Sequence, residues 1–428
     1  MIKSEDEFDV VVVGGGPAGS ATAGLLAKRG YRVLVLEREK FPRYHIGESL
    51  ITGSLPALED LGLRERLDNM GFTKKYGGTL LWGSNQGTWD FRFSEASNYD
   101  YAYQVRRADF DALLLARARE LGAFAIEEAT VKEPIFDGER IVGVTYIRKG
   151  DTEQRTARCR LLVDASGQSR ILARRFDLVE WHDDLRNIAV WTYFQGCKRY
   201  GGTRAGDTVT ENRPSGWFWF IPLSDGTVSV GYVTPIEEYK KSGKSLEELY
   251  ADELAKSQEV RALTEGAFRA SGFRSIRDWS YTCQRFHGPG WVLVGDAAAF
   301  VDPLLSTGVG LALRGSHGLA DAVDAALRDP SSEARVLARY EANYREFLGS
   351  LLDFVRFFYD RTLNKEQYWD KAQQSLDPKK LRPRKIDFAT MLSGVSGIHE
   401  IFHDLDGPAV LSQEEAGLEV VAVAEASG

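Results

Sequence analysis

The sequence predicts an α/β fold, α+β overall, in which a mostly parallel sheet is joined to an antiparallel sheet and a C-terminal helical region. Three observations predict it. Residues 8–13, Phe8-Asp9-Val10-Val11-Val12-Val13, form a β-branched run that leads into a glycine cluster and then a helix-forming stretch. Residues 188–235 are rich in Trp, Tyr, Phe, Val and Thr broken by Gly and Pro, the composition of antiparallel strands. Ala334 to Arg361 carries aromatic residues at helical spacing.

A short β-branched run bounded by glycine is what a buried parallel strand requires. After it, Ala18 to Arg29 is predicted helical and is stopped by Gly30, and Tyr31 to Leu36 is a second buried strand. This strand–turn–helix–strand order implies a right-handed parallel crossover. Arg160 to Val163 and Trp291 to Val294 read as further central strands, each followed closely by an Asp and a Gly. The first domain is therefore expected to be discontinuous, built from residues 1–110, 155–185 and 275–330. Residues 186–274, with strands near 75–105, are expected to form the antiparallel substrate domain, and 245–268 to be helical within it. Residues 331–428 form the C-terminal helical region, and its last stretch, Gln413 to Gly428, is small and acidic and is expected to lack fixed order.

With 428 residues, two or three packed regions are expected rather than one core. The net charge of −8 argues against non-specific nucleic-acid binding, and no apolar run approaches the ~20 residues that cross a bilayer. Met1 to Asp9 is acidic and lacks the charged-then-apolar pattern of a secretory leader, so a cytoplasmic location is expected. Cys159, Cys197 and Cys283 are too widely spaced for a disulfide framework or a zinc pattern. His45, His182, His287, His317, His399 and His403 show no metal spacing, and no metal is expected.

Gly14-Gly15-Gly16-Pro17-Ala18-Gly19 fits G-x-G-x-x-G at Gly14, Gly16 and Gly19. The first glycine makes a tight turn, the second lets a pyrophosphate approach the backbone, and the third lets helix pack on strand. The N–H groups from Ala18 onward then face the phosphates. Glu37 ends the next strand, close to the ~20-residue spacing expected of an acid that accepts ribose hydroxyls. A nucleotide cofactor is the expectation.

Three further segments carry a resemblance. Val105-Arg106-Arg107-Ala108-Asp109-Phe110-Asp111 is similar to the V-x-R-x-x-F-D element of flavoprotein monooxygenases, Asp164-Ala165-Ser166-Gly167 to their D-A-x-G turn, and Gly295-Asp296-Ala297 to their G-D-A segment. Arg43, Gly47 and Glu48 resemble the loop that covers the flavin in that group. The resemblance implies a Rossmann-like FAD-binding domain of the glutathione-reductase and aromatic-hydroxylase type. FAD would be held by Gly14, Gly16, Ala18, Gly19, Glu37, Arg43, Gly47, Glu48, Arg107, Asp296, Gly308 and Val309. On the residues alone, Arg107 has a plain alternative as an ion-pair partner of Asp109 or Asp111.

Hydroxylases, isoprenoid-chain reductases and halogenases share these features, and fold does not choose among them. Three short segments resemble flavin-dependent halogenases. Trp217-Phe218-Trp219-Phe220-Ile221-Pro222 matches W-x-W-x-I-P. Period-two spacing puts Trp217, Trp219 and Ile221 on one face, and the resemblance makes these residues, with Pro222, a barrier between flavin and substrate. Phe300 to Gly308 matches F-x-x-P-x-x-S-x-G, which implies a halide site at Ser306, Thr307 and Gly308. An ordinary helix N-cap by Ser306 or Thr307 is the alternative there. Phe72-Thr73-Lys74-Lys75-Tyr76-Gly77 resembles the F-x-x-K-x-G segment of the halogenases' active lysine, which falls on Lys75, with Lys74 its neighbour.

The resemblance implies the reaction as well. FADH2 from a separate flavin reductase and O2 give a flavin C4a-hydroperoxide, which chloride or bromide attacks to form hypohalous acid. Lys75 then either hydrogen-bonds that oxidant or forms a haloamine, directing halogen to an electron-rich ring. Leu305 stands where tryptophan halogenases carry a glutamate, which disfavours free tryptophan and favours a phenol or pyrrole, free or tethered to a carrier protein. Phe347, Phe354, Phe357, Phe358 and Tyr359 either roof the substrate pocket or pack in the core, and core packing is the expectation. A homodimer stays open. The rival readings are an aromatic monooxygenase, a geranylgeranyl-reductase-like enzyme, and a flavin-binding protein without turnover.

Overall fold

In the computed structural model, Glu7–Val13 lies between two parallel neighbours, Val33–Leu36 and Arg155–Asp164. The structure describes residues 7–85, 87–376, 379, 381 and 383–394. Phe124–Ile126 extends this sheet in parallel on one side and Trp291–Leu293 on the other. Val10 to Val13 and Val33 to Leu36 are almost wholly buried. That follows from helices packing over the strands: Pro17–Lys28 packs against both Arg107–Glu120 and Gly308–Arg328. A hairpin of Ala129–Asp137 and Arg140–Arg148 joins the start of Arg155–Asp164 in antiparallel fashion.

The second sheet runs Ala299–Phe300, Arg274–Cys283, Val179–Gln195, Thr227–Pro235, Gly216–Pro222, Thr208–Arg213, Gly77–Leu81, Trp89–Arg92. All its pairings are antiparallel except that of Thr208–Arg213 with Gly77–Leu81. Alternation along Gly216–Pro222 sorts its residues to two faces. Phe218 and Phe220 join Val230, Tyr232 and Tyr250 in one core, whereas Trp217, Trp219 and Ile221 belong to the core shared with the parallel sheet.

Two expected boundaries fall inside strands. Val179–Gln195 is a single 17-residue strand with a register shift between Trp181 and Arg186, so residues 179–185 lie in the antiparallel sheet. Arg274–Cys283 pairs with it, which moves the start of the last piece of the parallel domain beyond 283. The bulge lets one long strand carry the antiparallel pairing past the expected boundary without a loop to mark it. The stretch 245–268 is two helices, Leu246–Lys256 and Glu259–Thr264. Between them the buried Glu211 carboxylate accepts the N–H groups of Gln258, Glu259 and Val260.

The C-terminal region contributes Glu333–Phe358, Lys365–Leu376 and Arg384–Ser393. Phe354 and Phe358 are buried, and Phe358 stacks on Trp82 with ring centroids 5.0 Å apart. Gln413 to Gly428, His399 and His403 lie outside the described residues. Among the described residues, no helix is long and apolar enough to cross a membrane, and no His, Cys, Asp and Glu cluster has the makings of a metal site.

Candidate active site

A cavity of about 800 Å³ opens between the ends of the parallel strands and the Trp217 face of the antiparallel sheet. At one end it is lined by Gly14, Gly16, Ala18 and Glu37. Gly14 has φ +101°, and a Cβ there would meet Ala165 O at 2.5 Å, so only glycine fits this turn. Gly19 is off the wall and against the Gly14 carbonyl, closing helix onto strand. Helix Pro17–Lys28 starts at Gly16 without a side-chain cap, which leaves backbone N–H groups for an anion. Glu37 accepts the N–H of Gly15 at 2.6 Å and of Glu39 at 2.8 Å, so its carboxylate is fixed at the cavity edge.

The covering loop is tied down by Asp111, which is fully buried. Arg107 donates to both Asp111 oxygens, at 2.8 and 3.0 Å, and to the carbonyl of Ile46 at 2.6 Å. Arg43 shares the same carboxylate at 3.0 Å. The ion pair of Arg107 with Asp111 and its place on the cavity wall thus coexist. Arg43, Gly47, Glu48 and Asp296 line the same wall. Burial pushes the Asp296 carboxyl up to about 6, against the pull of Arg107. Burial likewise lifts Glu48 to about 7, with Tyr193, Ser229 and the guanidiniums of Arg107 and Arg106 opposing.

The turn before helix Gly308–Arg328 places Ser306, Thr307, Gly308 and Val309 on the wall. Ser306 adopts a left-handed conformation, φ 58°, and Thr307 stands at the N-cap position. Neither hydroxyl caps the helix, so the N-cap alternative is not what the structure holds. Among the described residues, Thr307 Oγ1 is buried without a partner, and nothing stands within 4 Å of the position a Cβ on Gly308 would take.

Opposite this turn, Trp217, Trp219 and Ile221 form the wall together with Trp191 and Ala189; Pro222 ends the strand, buried but off the wall. Each indole N–H has a partner: Tyr359 Oη for Trp217, Ser229 Oγ for Trp219 and Tyr44 Oη for Trp191. Trp219 lies flat over Gly231 of the adjacent strand, where a Cβ would come 2.1 Å from Cζ2. Tyr359 Oη donates to Asp302 Oδ2 at 2.8 Å, and Asn187 Nδ2 donates to the same oxygen at 2.8 Å. Asp302 Oδ1 accepts the N–H of Leu304, so one carboxylate joins the segment before Ser306 to the aromatic wall. Of the C-terminal aromatics, Phe347, Phe354 and Phe358 pack in the core and Tyr359 reaches this network.

Lys75 is 3% exposed and stands behind the wall rather than on it. Its Nζ donates to Ser49 Oγ at 2.8 Å and to the carbonyl of Leu50 at 3.2 Å, and lies 5.5 Å from the centroid of Phe93. Ser49 and Thr208, 2.9 Å apart through their hydroxyls, are both on the cavity wall. Burial lowers the Lys75 amine to about 7, with Asp207 opposing. Lys74 points the other way and is exposed beside Asp68 and Tyr101. Ser49, Thr208, Trp191 and the Asp302–Tyr359 pair were not singled out in the sequence. Only Trp191 carried a readable signal, the period-two alternation with Ala189.

These residues fit a bound flavin dinucleotide. The uncapped helix start at Gly16, the fixed Glu37, and the buried unpartnered oxygens of Thr307 and Glu48 all border one long cavity. What such a site does is narrowed by similarity. A family profile described as Tryptophan halogenase matches residues 9–99 and 94–420. A tryptophan 2-halogenase of Chondromyces crocatus is 35% identical over 398 residues, covering 90% of this chain and 75% of that protein. A 1H-pyrrole-2-carbonyl-[peptidyl-carrier protein] chlorinase of Pseudomonas fluorescens is 29% identical over 388 residues, covering 83% and 84%. The solved structure of the myxobacterial chondrochloren halogenase CndH, an FAD-dependent enzyme, superposes with a TM-score of 0.79 at 33% identity, covering 91% of this chain and 97% of that one.

Proposed function

The chain belongs to the tryptophan halogenase family and is a flavin-dependent halogenase, an oxidoreductase using FADH2, O2 and halide, and from that premise we propose that it halogenates a phenol or pyrrole ring through Lys75. The observation that carries this reading is the placement of Lys75. It is a buried amine with no carboxylate among the described residues in hydrogen-bonding reach, separated from the large cavity by the hydroxyls of Ser49 and Thr208.

When bound, reduced flavin would activate O2, the oxidant that turns halide into hypohalous acid. Gly14, Gly16, Ala18 and Glu37 would hold the adenosine and pyrophosphate half, and Arg43, Gly47, Glu48, Arg107, Asp296, Gly308 and Val309 the remainder. Gly19 shapes the turn beneath. Thr307 Oγ1 and the backbone N–H groups at the start of helix Gly308–Arg328 offer donors to a halide, with Ser306 turning the chain toward them. Trp217, Trp219 and Ile221 exclude an aromatic substrate from that chamber, and Pro222 ends their strand.

A small oxidant passes where a ring does not, and the polar hydroxyls of Ser49 and Thr208 mark its way to Lys75. With its amine near 7, Lys75 is neutral in a large fraction of molecules at neutral pH, and two donated hydrogen bonds leave its lone pair free. A neutral amine displaces water from HOX to give N–X, which passes X⁺ to a nucleophilic ring. Leu305 is buried beside the halide turn and offers no carboxylate to assist a less activated substrate. A pyrrole on a carrier protein is favoured by the likeness to the Pseudomonas chlorinase, and an indole by the likeness to the Chondromyces enzyme.

The test supplies a flavin reductase, NADH, FAD and chloride or bromide with four substrates: a simple phenol, a pyrrole acid, its carrier-protein thioester and free tryptophan. Halogenated phenol or pyrrole from wild type and none from K75A is the expected result. Tryptophan as the fastest substrate overturns the ring assignment, and undiminished regiospecific product from K75A overturns the role of Lys75.

A further inference from the structure

Resting on the reading that hypohalous acid forms in the large cavity, the balance of that step demands a proton. FADH2 + O2 + X⁻ + H⁺ gives FAD + HOX + H2O: O2 takes four electrons, two from the flavin and two from the halide, and the O–O bond breaks as O–X forms. One proton per turnover must therefore come from solvent into a cavity walled by aromatic side chains.

The structure holds a hydrogen-bonded chain suited to carry it. Tyr44 Oη is 3.0 Å from Tyr193 Oη, and Tyr193 Oη donates to Glu48 Oε1 at 2.8 Å. Tyr44 is 41% exposed, whereas Glu48 is 4% exposed. Glu48 lines both the large cavity and a smaller one of about 220 Å³ that Tyr44 and Tyr193 also line. Its second oxygen, Oε2, is buried without a hydrogen-bond partner among the described residues. The direction of the chain is fixed by its ends. Tyr193 has one hydroxyl hydrogen and gives it to Glu48, so Tyr44 must donate to Tyr193, and Trp191 Nε1 donates to Tyr44 at 2.7 Å. Every hydrogen points inward, toward the carboxyl that borders both cavities.

We propose that Glu48, resupplied through Tyr193 and Tyr44, delivers the proton consumed when halide is oxidised in the large cavity. A protonated Glu48 carries its hydrogen on Oε2, since Oε1 is the acceptor from Tyr193. After donation, the carboxylate takes the Tyr193 hydrogen on Oε1, Tyr193 takes that of Tyr44, and Tyr44 is refilled from water; rotation of the carboxyl group and turning of the two hydroxyls then restore the inward-pointing chain with the acid hydrogen on Oε2. The groups around the chain suit this role. Burial raises the Glu48 carboxyl, and Tyr193, Ser229 on the adjacent strand, and Arg107 and Arg106 at the helix start pull it back to about 7, where it gains and loses protons readily. Burial raises the Tyr193 hydroxyl far above its ordinary range, which disfavours a free tyrosinate in the chain. Burial and the cations Arg107 and Arg43 hold His45 down at about 4, neutral and no rival donor. Arg274, stacked 4.0 Å from the Tyr44 ring centroid, keeps the outer end in a cationic setting.

The experiment compares wild type with E48Q, Y193F and Y44F; neither tyrosine is on the wall of the large cavity. Hypohalous acid is measured by chlorination of monochlorodimedone with photoreduced FAD, across pH and in H2O against D2O. The infrared carboxyl band is followed by pH titration in the FAD-free protein, and FAD affinity by fluorescence quenching. At neutral pH, E48Q is expected to lose about 10²-fold in hypohalous acid formation, the scale of a general acid. Y193F is expected to lose about tenfold and to show a larger solvent isotope effect. The protonated-carboxyl band should be present in wild type, absent in E48Q, and should persist to higher pH in Y193F, which removes a hydrogen bond to the charged form. FAD affinity is expected to change by no more than about threefold in both tyrosine variants.

Wild-type rates and pH profile in E48Q or Y193F overturn the relay. So does a loss of FAD affinity in E48Q that accounts for its whole loss of rate. A wild type that makes no hypohalous acid overturns the functional reading instead, while the infrared titration still reports on the carboxyl.

Discussion

Lys75 Nζ donates to Ser49 Oγ across 2.8 Å, and this bond links a lysine buried behind the cavity wall to a residue that forms it. Burying the amine has a thermodynamic cost that depends on pH. Its folded pKa, about 7, lies below the ordinary lysine value of 10.5, so the folded state holds the proton less tightly than the unfolded chain. The penalty is full below pH 7 and fades as pH rises toward 10.5. At ~1.4 kcal/mol per pKa unit it is on the order of a few kcal/mol. K75M is therefore expected to be more stable than wild type in mildly acidic buffer, with the gap closing as pH rises, while losing ring halogenation and retaining hypohalous acid formation. Thermal melts of both proteins across pH check the first part, and a monochlorodimedone assay the second.

If Lys75 carries the halogen, its pH profile for transfer follows from the same amine. If the neutral amine accepts X⁺, product formation from hypohalous acid rises with pH through about 7. An ammonium acting only as a hydrogen-bond donor gives the opposite slope. Rapid-quench measurement of product after hypohalous acid is generated in the enzyme distinguishes the two, and a fall with rising pH would falsify the haloamine route.

Thr307 hides a hydroxyl that has no partner among the described residues. T307V keeps the shape and removes an unsatisfied polar group, so the protein without flavin or halide is expected to gain about 1 kcal/mol. If the hydroxyl is a halide donor, the same variant raises the halide KM several-fold and leaves FAD affinity unchanged. A halide titration at saturating FADH2 measures this, and an unaltered KM removes Thr307 from the halide site.

Arg107 holds the covering loop through the Ile46 carbonyl while its fork is locked on Asp111. Lysine cannot reproduce that planar, two-sided contact. R107K is expected to weaken FAD binding about tenfold, read from flavin fluorescence, and to leave the fold intact by circular dichroism.

Tyr359 links the aromatic wall to Asp302. Y359F leaves the Trp217 indole N–H and Asp302 Oδ2 each one partner short, which costs roughly 1–3 kcal/mol. With the wall loosened, more hypohalous acid should escape per ring halogenated. The ratio of trapped oxidant to product in the two proteins tests this.

How much of this was legible beforehand depended on distance along the chain. The parallel core was readable because its signal is local: a β-branched run, a glycine turn and a helix follow one another within thirty positions. The strand of Trp217, Trp219 and Ile221 was readable because alternation alone sorts its faces. Asp302 and Tyr359, 57 positions apart, and Tyr193 and Glu48, 145 apart, were not. Each is an ordinary polar residue whose meaning comes only from the partner that folding brings to it. The burial of Lys75 was invisible for the same reason. Its neighbour Lys74 has an identical side chain, and only the direction of a three-residue strand decides which of the two faces inward.

Gly231 and Trp219 occupy neighbouring strands as socket and plug, the indole filling the space where a Cβ would stand 2.1 Å from Cζ2. Such a pair constrains the order in which the chain is able to change. A side chain cannot be introduced at Gly231 while the indole is in place, whereas a smaller residue at Trp219 leaves only a hole. Any lineage that widens this passage must therefore alter Trp219 first. Once a bulkier residue has filled position 231, the way back to tryptophan is shut. The contact behaves as a historical ratchet, and libraries that vary Trp219 alone, then both positions together, are the ones able to pass it.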